Sequence, residues 1–209
     1  LLIQIIHNMK NEISETKHRR DFLKTSAILT GGALLSGIPL AGAYASGSDV
    51  IKVALIGCGS RGTGAAFQAL STKFNLKLVA MADAFPDKLA KSHQTLLAKF
   101  GGEKISVPDD KKFVGFDGYI AAMQDADVVL LCTPPGFRPA HFAEAVKQNK
   151  QIFMEKPVAT DSPGIRSVLA TAEEAKRKKL NVVVGLQRHY QKNYREIIDR
   201  VHQGGIGDV

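Results

Sequence analysis

The pattern of apolar and polar positions changes character at about residue 50. From there, short apolar runs alternate with stretches at helical spacing. Ile51 to Ile56, IKVALI, is a β-branched run of strand length, and Thr63 to Lys73 follows as a helix. Leu76 to Ala82 is a second run, and Pro86 to Phe100 a second helical stretch with proline suited to its first turn. A polar excursion leads to a minimal strand at Phe113-Val114, and Asp117 to Gln124 is expected to be a short helix. Asp127 to Cys132, DVVLLC, is continuously apolar after its first residue, as a strand covered on both faces requires. Pro139 to Asn149 is helical and Gln151 to Met154 is the fifth strand. Ser162 is expected to cap a helix with Pro163 in its first turn. Ile165, Val168, Leu169 and Ala172 give that helix an apolar face. Asn181 to Leu186 is the sixth strand. Tyr194, Ile197, Ile198 and Val201 mark a last helix, ended by Gly204.

Strands that alternate with helical crossovers predict an α/β fold: a Rossmann-type, doubly wound parallel sheet of about six strands, in the order 3-2-1-4-5-6.

The segment before residue 50 reads differently. The stretch from Thr25 to Ser48 carries no charge and is long enough to cross a bilayer, but its glycines, proline and hydroxyl residues make it a weak anchor. It closes on Ala43-Tyr44-Ala45, which fits the small-x-small rule for signal cleavage. Arg19-Arg20 followed by Asp21-Phe22-Leu23-Lys24 resembles the twin-arginine (Tat) export signal, RRxFLK, with His18 where serine or threonine is usual. Residues 1–45 are therefore expected to be a leader and Tat-type signal peptide. Either translation is expected to begin at Met9 or the sequence is a fragment, and the mature protein would be periplasmic or otherwise exported, with the Tat machinery as a partner.

Composition narrows the function classes. Apolar residues at 44% and charged residues at 23% are those of an ordinary globular protein. The net charge of +8 has no nucleic-acid recognition motif beside it, so no nucleic-acid partner is expected. The basic run Lys176 to Lys179 ends a predicted helix, where cations complement the dipole. Cys58 and Cys132 form no disulfide framework, and no Cys/His spacing suggests a metal. Both thiols fall near the ends of neighbouring strands, so a bridge between them is conceivable in an oxidising compartment.

Candidate chemistry gathers at strand ends. Gly57-Cys58-Gly59-Ser60-Arg61-Gly62 has GxGxxG spacing between a strand and a helix. Gly57 permits the tight turn, Gly59 lets backbone approach a diphosphate, and Gly62 lets helix and strand pack closely. Ser60 and Arg61 lie at the helix start, beside where the phosphates would be. Asp83 ends the second strand, where a carboxylate accepts from a ribose 2′-OH and repels a 2′-phosphate. NAD is thereby favoured over NADP. Thr133 and Pro134, in CTPPGFRPAH at the end of the fourth strand, border the crevice of such a sheet. His141 in the following helix reads as a packed residue. MEKPVATD, Met154 to Asp161, follows the fifth strand. A lysine there, partly buried beside a positive nicotinamide, would have a lowered pKa suited to proton transfer, and a cis Pro157 would fix its direction.

With GLQRHYQKNY after the sixth strand, these elements resemble, in order, the Gfo/Idh/MocA oxidoreductases, which include glucose–fructose oxidoreductase and inositol dehydrogenases. The resemblance runs from Val50 to the carboxyl terminus. It implies that Lys156 contacts the reacting hydroxyl, with Glu155 and Pro157 completing the motif, and that Gly57, Gly59, Gly62 and Asp83 form the dinucleotide site. Arg188 and His189 would border the substrate side. It also implies a carboxyl-terminal substrate domain that this sequence does not contain. Residues 46–209 are thus expected to be the NAD-binding domain of a longer, two-domain, homo-oligomeric protein, inactive alone. The expected activity is NAD-dependent oxidation of a sugar, polyol or sugar derivative. An NAD-dependent glycosidase of the family 109 type is the alternative, and a nucleotide-binding module without activity is a third reading.

Overall fold

The computed structural model describes residues 50–207. The export signal, the start at Met9 and the leader boundary lie outside the described residues. The six strands are β1 (Ile51–Ile56), β2 (Leu76–Asp83), β3 (Lys112–Val114), β4 (Val128–Leu131), β5 (Gln151–Met154) and β6 (Val182–Val184). Every pairing is parallel, and the order is β3-β2-β1-β4-β5-β6. The doubly wound sheet expected from the apolar runs is therefore the observed one. Chain direction reverses its progress across the sheet between β1 and β4, which opens a crevice at their carboxyl ends.

Side-chain alternation divides the core in two. Val53 and Leu55 point to one face, with Leu70, Leu89 and Leu96; Ala54 and Ile56 point to the other, with Val129, Leu131, Phe142 and Val146. Burial on both faces explains why β4, and β1 after the exposed Lys52, read as unbroken apolar runs rather than alternating ones.

The helices are α1 (Ser60–Leu70), α2 (Pro86–Lys104), α3 (Gly118–Ala122), α4 (Arg138–Lys147), α5 (Ser162–Arg177), α6 (Gln187–Tyr190) and α7 (Lys192–His202). Several depart from expectation. α1 begins at Ser60 rather than Thr63, so Gly62 lies inside its first turn. α2 continues past Phe100 to Lys104, through a break at Gly101 with φ of 67°. The cap of α5 is Asp161, not Ser162: its Oδ1 accepts from the Gly164 N–H at 2.8 Å, a stronger acceptor than the hydroxyl one residue later. The short α6 was not expected.

The apolar faces of the last helices are also placed differently. In α5 only Val168 of the expected stripe is buried, whereas Ile165 and Leu169 are 41% and 62% exposed. α5 lies at the β6 side of the sheet and packs on α4, so it covers Val168 and Ala175 and leaves the flank of its stripe in solvent. No residue of α7 is buried, and Ile197 and Ile198 face outward. Among the described residues no helix is long and apolar enough to cross a membrane.

Leu55 is fully buried, so Leu55→Ala should lower unfolding free energy by about 2–5 kcal/mol. Leu169→Ser, at an exposed site, should change it by less than about 0.5 kcal/mol. Urea denaturation followed by circular dichroism checks both; equal effects would contradict this assignment of the core.

Candidate functional site

The turn between β1 and α1 is built on glycine. Gly57 has φ of +94°, and a Cβ there would stand 2.6 Å from the Thr133 backbone nitrogen. A Cβ on Gly62 would stand 1.8 Å from the Gly57 carbonyl oxygen and 3.2 Å from Cys132 Cβ. Gly59, the N-cap of α1, is the opposite case: a Cβ there meets nothing within 4 Å, because this position faces open space. The first N–H groups of α1 have no side-chain cap and carry the positive end of the helix dipole.

Asp83 grips this turn. Its Oδ2 accepts from the Cys58 N–H at 2.6 Å and its Oδ1 from the Phe85 N–H at 2.9 Å. Each carboxylate oxygen retains a further lone pair for a ligand. The Thr63 and Ser92 hydroxyls hydrogen-bond at 2.8 Å and join α1 to α2 beneath the loop.

The loops after β4 and β5 complete the rim. Cys132 and Glu155 continue the ladder, their N–H groups donating to the Ile56 and Leu131 carbonyls at 2.7 and 3.0 Å. The Glu155 carboxylate pairs with Arg61 Nε at 2.8 Å, and Arg61 Nη2 also donates to Gln68 at 3.1 Å. The Lys156–Pro157 peptide bond is cis. Lys156 itself is exposed rather than partly buried, because the loop turns out from the strand end directly after Glu155.

These elements enclose a cavity of about 640 Å³ at the carboxyl ends of β1, β2, β4 and β5. Gly57, Gly59, Ser60, Arg61, Gly62, Asp83, Thr133, Pro134, Glu155 and Lys156 all line it. Its size and its few convergent polar groups are those of a small-molecule site. Gly59 open where a diphosphate must come close, an uncapped helix N-terminus and a strand-end carboxylate together fit a dinucleotide. Arg188 and His189 do not line this cavity. Arg188 lies over the Tyr194 ring at 5.1 Å, and His189 is exposed, because α6 turns the chain away after β6. Gln187, Tyr190 and Gln191 instead line a second cavity of about 630 Å³, which shares Arg61, Glu155 and Lys156 with the first.

The helix that follows the β4 loop, α4, holds residues whose part in the site was not anticipated. His141 is buried as expected, and its Nδ1 lies 3.0 Å from the Thr133 hydroxyl, with the Tyr119 ring centroid 4.1 Å away. Burial, aided by the Arg138 charge, lowers its pKa to about 4, so the imidazole is neutral at pH 7. Arg138, the first residue of α4, is 1% exposed and donates to the backbone carbonyls of Thr133 and Glu155. The signal for it in the sequence was a cation at a helix N-terminus, where the dipole disfavours positive charge. Both cysteines are free thiols, and burial pushes Cys58 up and Cys132 up to about 12, which leaves neither as a thiolate.

The comparisons with known proteins converge on this architecture. Residues 51–185 match the model of the oxidoreductase family with an NAD-binding Rossmann fold, Gfo/Idh/MocA. The chain belongs to this family. The inositol 2-dehydrogenase of Rhizobium meliloti is 27% identical over 159 residues, 76% of this chain and 43% of that protein. A glycosyl hydrolase family 109 protein of Shewanella baltica is 26% identical over 216 residues, 92% of this chain and 44% of that protein. The structure of scyllo-inositol dehydrogenase from Lactobacillus casei with bound NAD(H) and scyllo-inositol superposes with a TM-score of 0.58 at 25% identity, over 76% of this chain and 43% of that one. This chain therefore spans less than half the length of these relatives.

Two outcomes follow from the geometry. Gly62→Ala should destabilise the protein by about 1–3 kcal/mol, since backbone must move, whereas Gly59→Ala should stay within about 1 kcal/mol of wild type; thermal unfolding checks the difference. His141 holds its proton less readily folded than unfolded, so the unfolded chain takes up the proton first as pH falls. Stability should drop by up to about 1.4 kcal/mol per pH unit between pH 6.5 and about 4. His141→Phe should flatten that part of the urea-denaturation profile, and an unchanged slope would contradict a neutral buried imidazole.

Proposed function

We propose that the chain is the cofactor-binding part of an NAD-dependent oxidoreductase acting on a sugar, polyol or sugar derivative by hydride transfer. One observation carries this reading: the glycine turn, Asp83, Thr133-Pro134 and Lys156 come from four strand ends and line one cavity. The relatives support the substrate class by their names, which include inositol dehydrogenases.

The residues divide the work. The N–H groups at the start of α1 receive the diphosphate, approached across Gly59, with Arg61 beside it. Asp83 accepts from the adenosine ribose hydroxyls while holding the Cys58 N–H, so binding at its free lone pairs also firms the glycine turn. Its charge repels a 2′-phosphate, which favours NAD over NADP. Thr133, its hydroxyl held by His141, and Pro134 flank the nicotinamide half. Nicotinamide, when bound, supplies the hydride acceptor or donor. Lys156 Nζ holds the substrate hydroxyl and takes or returns its proton, and the Arg61–Glu155 pair keeps the preceding residue in place.

We infer that a further domain outside residues 46–209 completes the substrate pocket, because hydride transfer needs the substrate held at near-attack distance. The parent protein is inferred to be homo-oligomeric. Residues 1–45 direct export through the twin-arginine route, which carries proteins already folded around a cofactor.

A family 109 type of glycosidase, in which NAD stays bound and no net redox change accumulates, is the second reading. It is favoured by the 92% coverage of this chain in the Shewanella baltica relatives, more than residues 51–209 alone supply. Release of nitrophenol from a nitrophenyl glycoside without net NADH would select it over the dehydrogenase.

Fluorescence titration tests the cofactor reading. NADH should bind more tightly than NADPH, and Asp83→Ala should weaken NADH by about 10–100-fold. Equal affinity for both nucleotides, or an unaffected variant, would overturn the role of Asp83.

A further inference from the structure

Arg138 stands out among the charged side chains described. It is 1% exposed, no carboxylate pairs with it among the described residues, and its Nε has no hydrogen-bond partner. A buried guanidinium is unfavourable unless hydrogen bonds replace its hydration. It gains nothing from its own helix, since it opens α4 at the positive end of the dipole. Burial accordingly weakens its hold on its proton.

All its observed hydrogen bonds run to the rim of the cavity. One terminal nitrogen, Nη2, donates to the carbonyl of Thr133, and the other, Nη1, to the carbonyl of Glu155. The first carbonyl immediately precedes Pro134 and the second immediately precedes Lys156. The planar fork of a guanidinium spans two such acceptors in a fixed geometry, which a lysine ammonium cannot do. The ladder between β4 and β5 ends with the Glu155 N–H bond to the Leu131 carbonyl, and the fork takes over where it stops.

We propose that Arg138 is a positioning residue that staples the loop after β4 to the loop after β5, and so sets the distance from Thr133-Pro134 to the Lys156 amine. The proposal rests on the cofactor reading above, in which these two loops flank the nicotinamide half. The adenosine half, held by the glycine turn and Asp83, does not depend on the staple.

The test compares two nucleotides on the full chain. ADP-ribose reports the adenosine and diphosphate half, and NADH reports both halves. Arg138→Met should leave ADP-ribose affinity within about twofold and weaken NADH by about tenfold or more, with Arg138→Lys between it and wild type. Low concentrations of guanidinium chloride should restore NADH affinity to Arg138→Ala and not to Asp83→Ala. Hydrogen exchange should quicken by about tenfold or more in residues 133–137 and 155–160 of Arg138→Met while α2 stays unchanged. Unchanged NADH affinity and exchange would overturn the proposal. So would equal losses for both nucleotides with faster exchange throughout, the result of a general fastening role. Wild type binding neither nucleotide would sink the cofactor reading, and the exchange pattern alone would then decide the staple: unchanged exchange in residues 133–137 and 155–160 overturns it, and faster exchange confined there supports it.

Discussion

The approach of Gly62 to the Gly57 carbonyl is the constraint on which the site depends. A single methyl group at residue 62 would lie 1.8 Å from that oxygen, so α1 can start directly after β1 only around glycine. Because it starts there, its free N–H groups stand at the cavity floor instead of several residues away. Because the turn is that tight, the Cys58 N–H points sideways and finds Asp83 across the sheet at 2.6 Å. The same close packing brings Gly57 against Thr133 and so sets how near the β4 loop comes. Each later element of the rim is measured from this turn.

Charge then organises what close packing leaves free. Beyond the last ladder bonds of β4 and β5, two arginines act in different ways. Arg61, half exposed, reaches the Glu155 carboxylate from α1 and links the first strand end to the fifth. The Glu155 side chain is only 12% exposed, so the pair is partly shielded from solvent and holds the β5 loop in one direction. Arg138, buried, addresses backbone carbonyls and forms no salt bridge among the described residues. Neutral His141 beside it fixes the Thr133 hydroxyl without adding a second charge to the same interior. Loop, cation and neutral ring form one network around the residues that would meet a cofactor.

Much of this was legible in the chain before any coordinates, for physical reasons. Parallel strands must be apolar wherever both faces are buried, so β1 after Lys52, β4, and β5 after Gln151 announced themselves within a residue of their bounds. The glycine spacing and the acid at the end of β2 report backbone geometry, which is local. What escaped depends on which surface meets which. Helical periodicity found a stripe on α5 but did not show that only Val168 and Ala175 of that helix would be covered. The family resemblance put Arg188 and His189 on the substrate side; α6, which carries them, lies outside the main cavity, and no spacing rule shows that turn. The carbonyl partners of Arg138 lie 5 and 17 residues away in sequence, beyond any spacing rule. Asp161 capped α5 because a carboxylate competes better than the adjacent Ser162 hydroxyl for the same N–H.

The central claim is that one cavity, formed where β1, β2, β4 and β5 end, receives a nicotinamide dinucleotide. Amide chemical shifts of the isotope-labelled chain during titration with NADH test it most directly. The account requires saturable shifts at Gly57–Gly62, Asp83, Thr133 and Glu155–Lys156 together. Shifts confined elsewhere, or none at saturating nucleotide, would contradict it.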